Sequence, residues 1–120
     1  RAHAAETGDY LIASLEQLSR DTEGRWIGSV RGCGLFIGVE FIKDHATLEP
    51  ATAETSYLCS RLKDEHFILS SIDGPHNNVL VIKPPLCFSK ADCDCFVGAL
   101  AAELATLDET NLSSMAHTPT

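Results

Sequence analysis

Arg31 stands beside Gly32 and Gly34, and His76 sits in the turn-forming run Asp73-Gly74-Pro75-His76-Asn77-Asn78. An arginine presented beside glycines suits a planar anion, a carboxylate or a phosphate. An imidazole on a loop can meet a ligand, since connecting segments carry a large share of functional groups. Each residue also has a structural reading. Arg31 can equally cap a carbonyl or pair with an acidic residue at a domain boundary, and the run around His76 has the composition of an ordinary self-bonded turn. Lys83, ahead of Pro84 and Pro85, would need a low-dielectric pocket to serve as a Schiff-base lysine, and no local pattern supplies one. Cys87 has no His or Asp placed by sequence to activate its thiol. No complete set of catalytic residues is present.

Other chemistries are argued against by spacing. Gly32-x-Gly34 leads into an apolar alternating run, whereas a dinucleotide site needs a third glycine and a helix opening directly after it. The five cysteines, Cys33, Cys59, Cys87, Cys93 and Cys95, form an odd set without a CxxC pair. That arrangement fits reduced thiols better than a disulfide framework. Cys93 and Cys95 are two apart, which on a helix points them to different faces. His3, His45, His66 and His117 have no partner at metal-ligand spacing, so no metal site is expected. A net charge of −8 argues against a nucleic-acid surface, which needs a basic stripe. No apolar run approaches the roughly 18 residues that span a bilayer, so neither nucleic acid nor membrane is an expected partner.

The elements that must position Arg31 and His76 follow from periodicity. Residues 2–20 read as a helix with Leu11, Leu15 and Leu18 on one stripe. Asp21 to Gly24 ends it, and Trp26 to Val30 reads as a short strand. Leu35, Ile37, Val39 and Phe41 alternate with Phe36, Gly38, Glu40 and Ile42, the period of a strand with one wholly apolar face. Gly32 and Gly34 predict a bulge or sharp bend before it, and Gly38 predicts close approach of a neighbouring backbone. Thr52 to Glu65 reads as a second helix with Ala53, Tyr57, Leu58 and Leu62 towards one side. Phe67 to Ser71 and Val79 to Lys83 read as strands, the second stopped by Pro84-Pro85, which cannot donate to a ladder. Ser89 and Asp92 resemble a capping box for a last helix whose stripe is Cys93, Phe96, Val97, Leu100, Leu104 and Leu107. The fold class is therefore α+β: a small antiparallel sheet with helices packed on one face.

Two phrases, Val30-Arg31-Gly32-x-Gly34-Leu35-Phe36 with Gly38 and Glu40, and Pro84-Pro85-Leu86 before the last helix, resemble the C-terminal domain of class III aminotransferases, pyridoxal-phosphate enzymes of fold type I. The resemblance covers about Thr7 to Leu107. Within the class, DGPHNNVL followed by KPPLCF, and the segment His45 to Leu58, are similar to the branch of ethanolamine-phosphate and phosphohydroxylysine phospho-lyases. The resemblance marks Gly32, Gly34, Gly38, Pro84 and Pro85 as structural motif residues. One departure stands out: many relatives carry a basic residue in the pattern L-R-x-x-P-P, and the corresponding position here is Val81, which puts ordinary carboxylate recognition in doubt.

The resemblance implies a small domain that folds over a larger one, in a homodimer of the full-length protein. Such enzymes hold pyridoxal phosphate covalently through a lysine of the large domain, and the ring serves as an electron sink. They act on a small-molecule amine, by transamination or by phosphate elimination, in the cytoplasm or the mitochondrial matrix. On this reading the chain is the C-terminal piece of an enzyme and is inactive alone. Residues 1–20 form the helix joining it to the large domain, residues 21–108 the small domain, and residues 109–120 a disordered tail. Arg31 and His76 stand at the rim of the substrate cleft. A different class of reading is a stand-alone α+β binding or regulatory module without chemistry.

Overall fold

The computed structural model of the chain describes residues 2–33, 36–82 and 89–109. Gly34, Pro84, Pro85, Lys83, Cys87 and the tail from residue 110 onwards lie outside the described residues. Helix α1 (Ala2–Ser19) leads through a 3-10 turn at Glu23–Trp26 into strands β1 (Ile27–Cys33) and β2 (Phe36–Phe41). Helix α2 (Thr52–His66) follows, then strands β3 (Ser71–Asp73) and β4 (Val79–Ile82), and helix α3 (Lys90–Glu109). The strands form one antiparallel sheet in the order β1-β2-β4-β3.

Register assigns the two faces. Paired residues of an antiparallel sheet share a face, and the rows Val30–Val39–Leu80–Ile72 and Gly32–Ile37–Ile82 run across one of them. On that face Ile37, Val39, Leu80 and Ile82 are buried against Leu11 and Leu15 of α1, Leu58 and Leu62 of α2, and Phe96, Leu100 and Leu104 of α3. The alternation of β2 ends in a buried Phe41, as its period requires. The opposite rows, Ser29–Glu40–Val79–Asp73 and Arg31–Gly38–Val81–Ser71, contribute nothing to this core.

The helices are held to their positions by local chemistry as well as by packing. At the start of α3, Ser89 donates from both its N–H and its Oγ to Asp92, at 2.9 and 3.0 Å. The Asp92 N–H returns a bond to Ser89 Oγ at 3.1 Å. This is a capping box with aspartate in the glutamate position, and the two Ser89 donors hold the Asp92 carboxyl below its ordinary range. Between α2 and α3, the buried Glu103 carboxylate accepts from Arg61 Nε and from His66 Nε2, each at 2.9 Å. Gly24 is buried in the 3-10 turn because a Cβ there would stand 1.8 Å from the Leu18 carbonyl oxygen.

Several expectations are corrected. Phe67 does not begin a strand: it ends α2 in the left-handed conformation (φ 58°), and the Ile68 N–H closes the helix on the Leu62 carbonyl at 2.9 Å. The Phe67 N–H turns back to the same carbonyl; glycine is the usual residue in such a left-handed helix end, and the closure delays pairing until Ser71. Ala53 faces outwards, and Glu54 and Thr55 take the buried positions instead. Gly32 has no positive φ; it is a paired strand residue whose missing side chain admits Ile12, since a Cβ would lie 2.4 Å from Ile12 Cδ1. The irregularity of β1 lies instead between Ile27 and Ser29. Gly38 faces a side chain rather than a backbone, with Val79 3.3 Å from a Cβ built there.

Candidate functional site

The uncovered sheet face carries an open depression of about 430 Å³. Its walls are Ser29 and Arg31 of β1, Glu40 of β2, and the Gly74–Asn78 turn with His76 at its tip; Gly38 and Val79 line it from the central strands. The two residues singled out by type, Arg31 and His76, come from phrases far apart in the chain and line this one depression.

Each is positioned by its element. Arg31 lies opposite Gly38, and Ser29 opposite Glu40. With no side chain at Gly38, the guanidinium lies along the sheet towards the Ser29–Glu40 pair. Ser29 Oγ donates to Glu40 Oε1 at 3.0 Å, and Arg31 Nη2 stands 3.5 Å from Ser29 Oγ and 4.0 Å from Glu40 Oε1. The Arg31 side chain is 78% exposed, so most of its five N–H donors face solvent in the depression.

His76 is exposed, but its backbone is fixed at two points. Thr52 Oγ1, in the first turn of α2, donates to the His76 carbonyl at 2.7 Å. The buried Asn78 exchanges backbone bonding with β2, its carbonyl accepting from the Phe41 N–H at 2.9 Å, while its Nδ2 donates to the Phe41 carbonyl at 2.9 Å. The turn itself needs left-handed backbone at Gly74 (φ 90°) and Asn77 (φ 52°), which glycine and asparagine tolerate best. The asparagine pair thus divides its work between bending the chain and anchoring it.

The depression can take an anion: it offers a guanidinium, an imidazole and a hydroxyl beside one carboxylate. It does not offer the amine that pyridoxal phosphate requires. Lys43 Nζ stands 3.9 Å from Glu49 and 4.0 Å from the buried Glu54, and Lys90 Nζ lies 5.4 Å from the centre of the Tyr10 ring. Lys63 is exposed on α2, and none of these three lines the depression. The described residues therefore do not fit that cofactor as a covalently held group. Among them no cluster of His, Cys, Asp and Glu is arranged to hold a metal ion, and no helix is long and apolar enough to cross a membrane.

Sequence reasoning gave Ser29, Asn78 and Thr52 no part in the site, and Glu40 only a place in the motif that carries the resemblance. Ser29 was within reach, because residues two apart on a strand share a face and it therefore accompanies Arg31. Thr52 and Asn78 carried no signal, since their partners lie 24 and 37 residues away.

A two-layer α+β domain with one covered and one open sheet face is the class of structure these features define. The sequence matches the family model for class-III aminotransferases over residues 1–104, and the chain belongs to that family. It is 44% identical over 98 residues to alanine–glyoxylate aminotransferase 2 homolog 2, mitochondrial, of Arabidopsis thaliana, covering 82% of this chain and 20% of that protein. It is 40% identical over 88 residues to ethanolamine-phosphate phospho-lyase homolog 1 of Caenorhabditis elegans, covering 73% of this chain and 18% of the relative. A phospholyase from Arthrobacter, solved in complex with phosphoethanolamine, matches with a TM-score of 0.78 and 38% identity, over 88% of this chain and 24% of that one. The chain thus spans about a fifth of the length of the curated relatives it matches. Both aminotransferases and phospho-lyases are among its relatives, as the two sequence phrases implied.

Proposed function

We propose that this chain is the small domain of a pyridoxal-phosphate-dependent enzyme, a transaminase or a phospho-lyase acting on a small amine such as a phosphorylated amine. In this reading the domain closes over a cleft formed with a larger domain, and Arg31 and His76 stand at the cleft rim as anion-contacting groups. Closure of such a lid excludes water and completes the site around the substrate. The cofactor is held by residues outside those described, and the full-length protein works as a homodimer, in the cytoplasm or the mitochondrial matrix. The observation that carries the reading is the convergence of Arg31 and His76 on one open depression, with the whole polar row of the sheet left uncovered by this chain's own helices.

Steady-state kinetics of the full-length protein with Arg31→Ala and His76→Ala test it. The expected result is a raised KM for the anionic amine, about ten- to a hundred-and-fiftyfold for Arg31→Ala, as a hydrogen bond to a charged group is worth, and a smaller rise for His76→Ala. Unchanged kinetics for both variants would remove the depression from the substrate rim.

A further inference from the structure

We infer that Thr52 is a positioning residue for the depression: through the His76 carbonyl it holds the imidazole in place for an incoming anion. This rests on the rim reading above. Helix α2 opens without a side-chain cap, because Ala51 holds the cap position and no side chain bonds there. An alanine forgoes the stabilisation that Ser, Thr, Asp or Asn would give the helix at that point. The hydroxyl stands one residue further on, and its bond leaves the helix altogether. Thr52 Oγ1 donates to the His76 carbonyl at 2.7 Å, across 24 residues. A threonine serving α2 alone would contribute more one position earlier.

The peptide it grips is the one on which the turn depends. The His76 carbonyl belongs to the His76–Asn77 peptide, whose N–H bonds the Gly74 carbonyl at 3.2 Å. Asn77 is left-handed at φ 52°, a conformation that asparagine tolerates but does not prefer. Turning this peptide over would relieve Asn77 at the expense of both bonds, so the Thr52 bond weighs against the change. The Asn78 bonds to Phe41 fix the exit of the turn, whereas Thr52 holds the His76 peptide itself from an element outside the turn. His76 is exposed, so its ring is placed by its backbone rather than by burial. A ring held ready spares the ordering that binding would otherwise require.

Calorimetric titration of the full-length, cofactor-loaded protein with inorganic phosphate tests this. Arg31→Ala should weaken phosphate about tenfold or more, as a bond to a charged group is worth, and His76→Ala should weaken it less. Thr52→Val, which keeps the shape and removes the hydroxyl, should weaken it about two- to tenfold, the range of one neutral hydrogen bond, and by no more than His76→Ala does. Thr52→Ser, which restores the hydroxyl, should bind as the wild type. In the His76→Ala background, Thr52→Val should change nothing further, because Thr52 acts through the imidazole. If Thr52→Val binds as the wild type, if Thr52→Ser fails as Thr52→Val does, or if the losses at Thr52 and His76 multiply, the positioning role is overturned and the rim reading stands. If His76→Ala alone is without effect, His76 leaves the rim and this inference falls with it. Phosphate binding that is absent, or indifferent to both Arg31→Ala and His76→Ala, removes the rim reading and the inference together.

Discussion

Replacing Glu103 by Gln should destabilise the domain by about 2 kcal/mol at neutral pH, and the loss should shrink as the solution is acidified. The Glu103 side chain is only 5% exposed and accepts from Arg61 Nε at 2.9 Å, from Arg61 Nη2 at 3.5 Å and from His66 Nε2 at 2.9 Å. Hydrogen bonds to a charged group contribute about 1.5–3 kcal/mol against about 0.5–1.5 for neutral ones. Two good bonds are reduced from the first kind towards the second, and partial exposure of Arg61 and His66 to water discounts the difference, which gives the figure stated. Burial pushes the Glu103 carboxyl upwards, but the bonds and charges of Arg61 and His66 outweigh it, and the net effect holds it below its ordinary range. A carboxylate lowered in the folded state stabilises above its unfolded value, and that stability is lost as pH falls through the folded value. Urea unfolding of the 120-residue chain, followed through the fluorescence of its single tryptophan, Trp26, measures both effects. With a slope of about 1–2 kcal/mol/M, the midpoint should fall by about 1–2 M at neutral pH. The two proteins should converge well below the ordinary carboxylate range. An equal gap at acid and neutral pH would refute the argument, because it would mean the ionised carboxylate is not what joins α2 to α3.

Phe67 is 89% exposed and left-handed, a conformation costing non-glycine residues about 1–2 kcal/mol. Phe67→Gly should therefore raise the thermal midpoint, with about 1 kcal/mol of net gain in calorimetry after the entropic cost of glycine. A lower midpoint would mean the ring makes a contact the geometry does not include. Of the helix α3 thiols, buried Cys93 is pushed up chiefly by desolvation, then by Asp94 and Asp92, whereas Cys95 is exposed. Iodoacetamide followed by peptide mass mapping should label Cys95 well before Cys93, since the thiolate is the reactive form; equal labelling would contradict the burial of Cys93.

What could be read from the sequence was whatever repeats locally. The alternation through Ile37, Val39 and Phe41 and the stripes of α1 and α3 became buried faces, because a period is a property of neighbouring residues. The Ser89–Asp92 box was equally local. Phe67 was read as strand on its apolar character, yet the closing bond of α2 demanded a left-handed residue just there. Ala53 was expected on the side of Tyr57, Leu58 and Leu62, and packing put Glu54 and Thr55 inside instead. For the depression, residue types pointed to Arg31 and His76 one at a time. Their convergence depends on the β2–β4 register and on the Thr52 and Asn78 anchors, which are long-range pairings without a local signature.

The sheet order also has a consequence for how the chain reaches this structure. Strands β1 and β2 form one local hairpin and β3 and β4 another, while the joint between them, β2 against β4, pairs Glu40 with Val79 across the whole of α2. Local hairpins close in microseconds, whereas a joint of that sequence separation must first overcome loop-closure entropy. Joining the two hairpins therefore carries the larger loop-closure cost, and the Asn78–Phe41 bonds lie at that seam. Arg31 rides on one half and His76 on the other. The side with Ser29, Arg31, Gly38 and Glu40 belongs to the first hairpin and the His76 side to the second, so a lesion at the seam should separate the two sides while leaving both hairpins able to form.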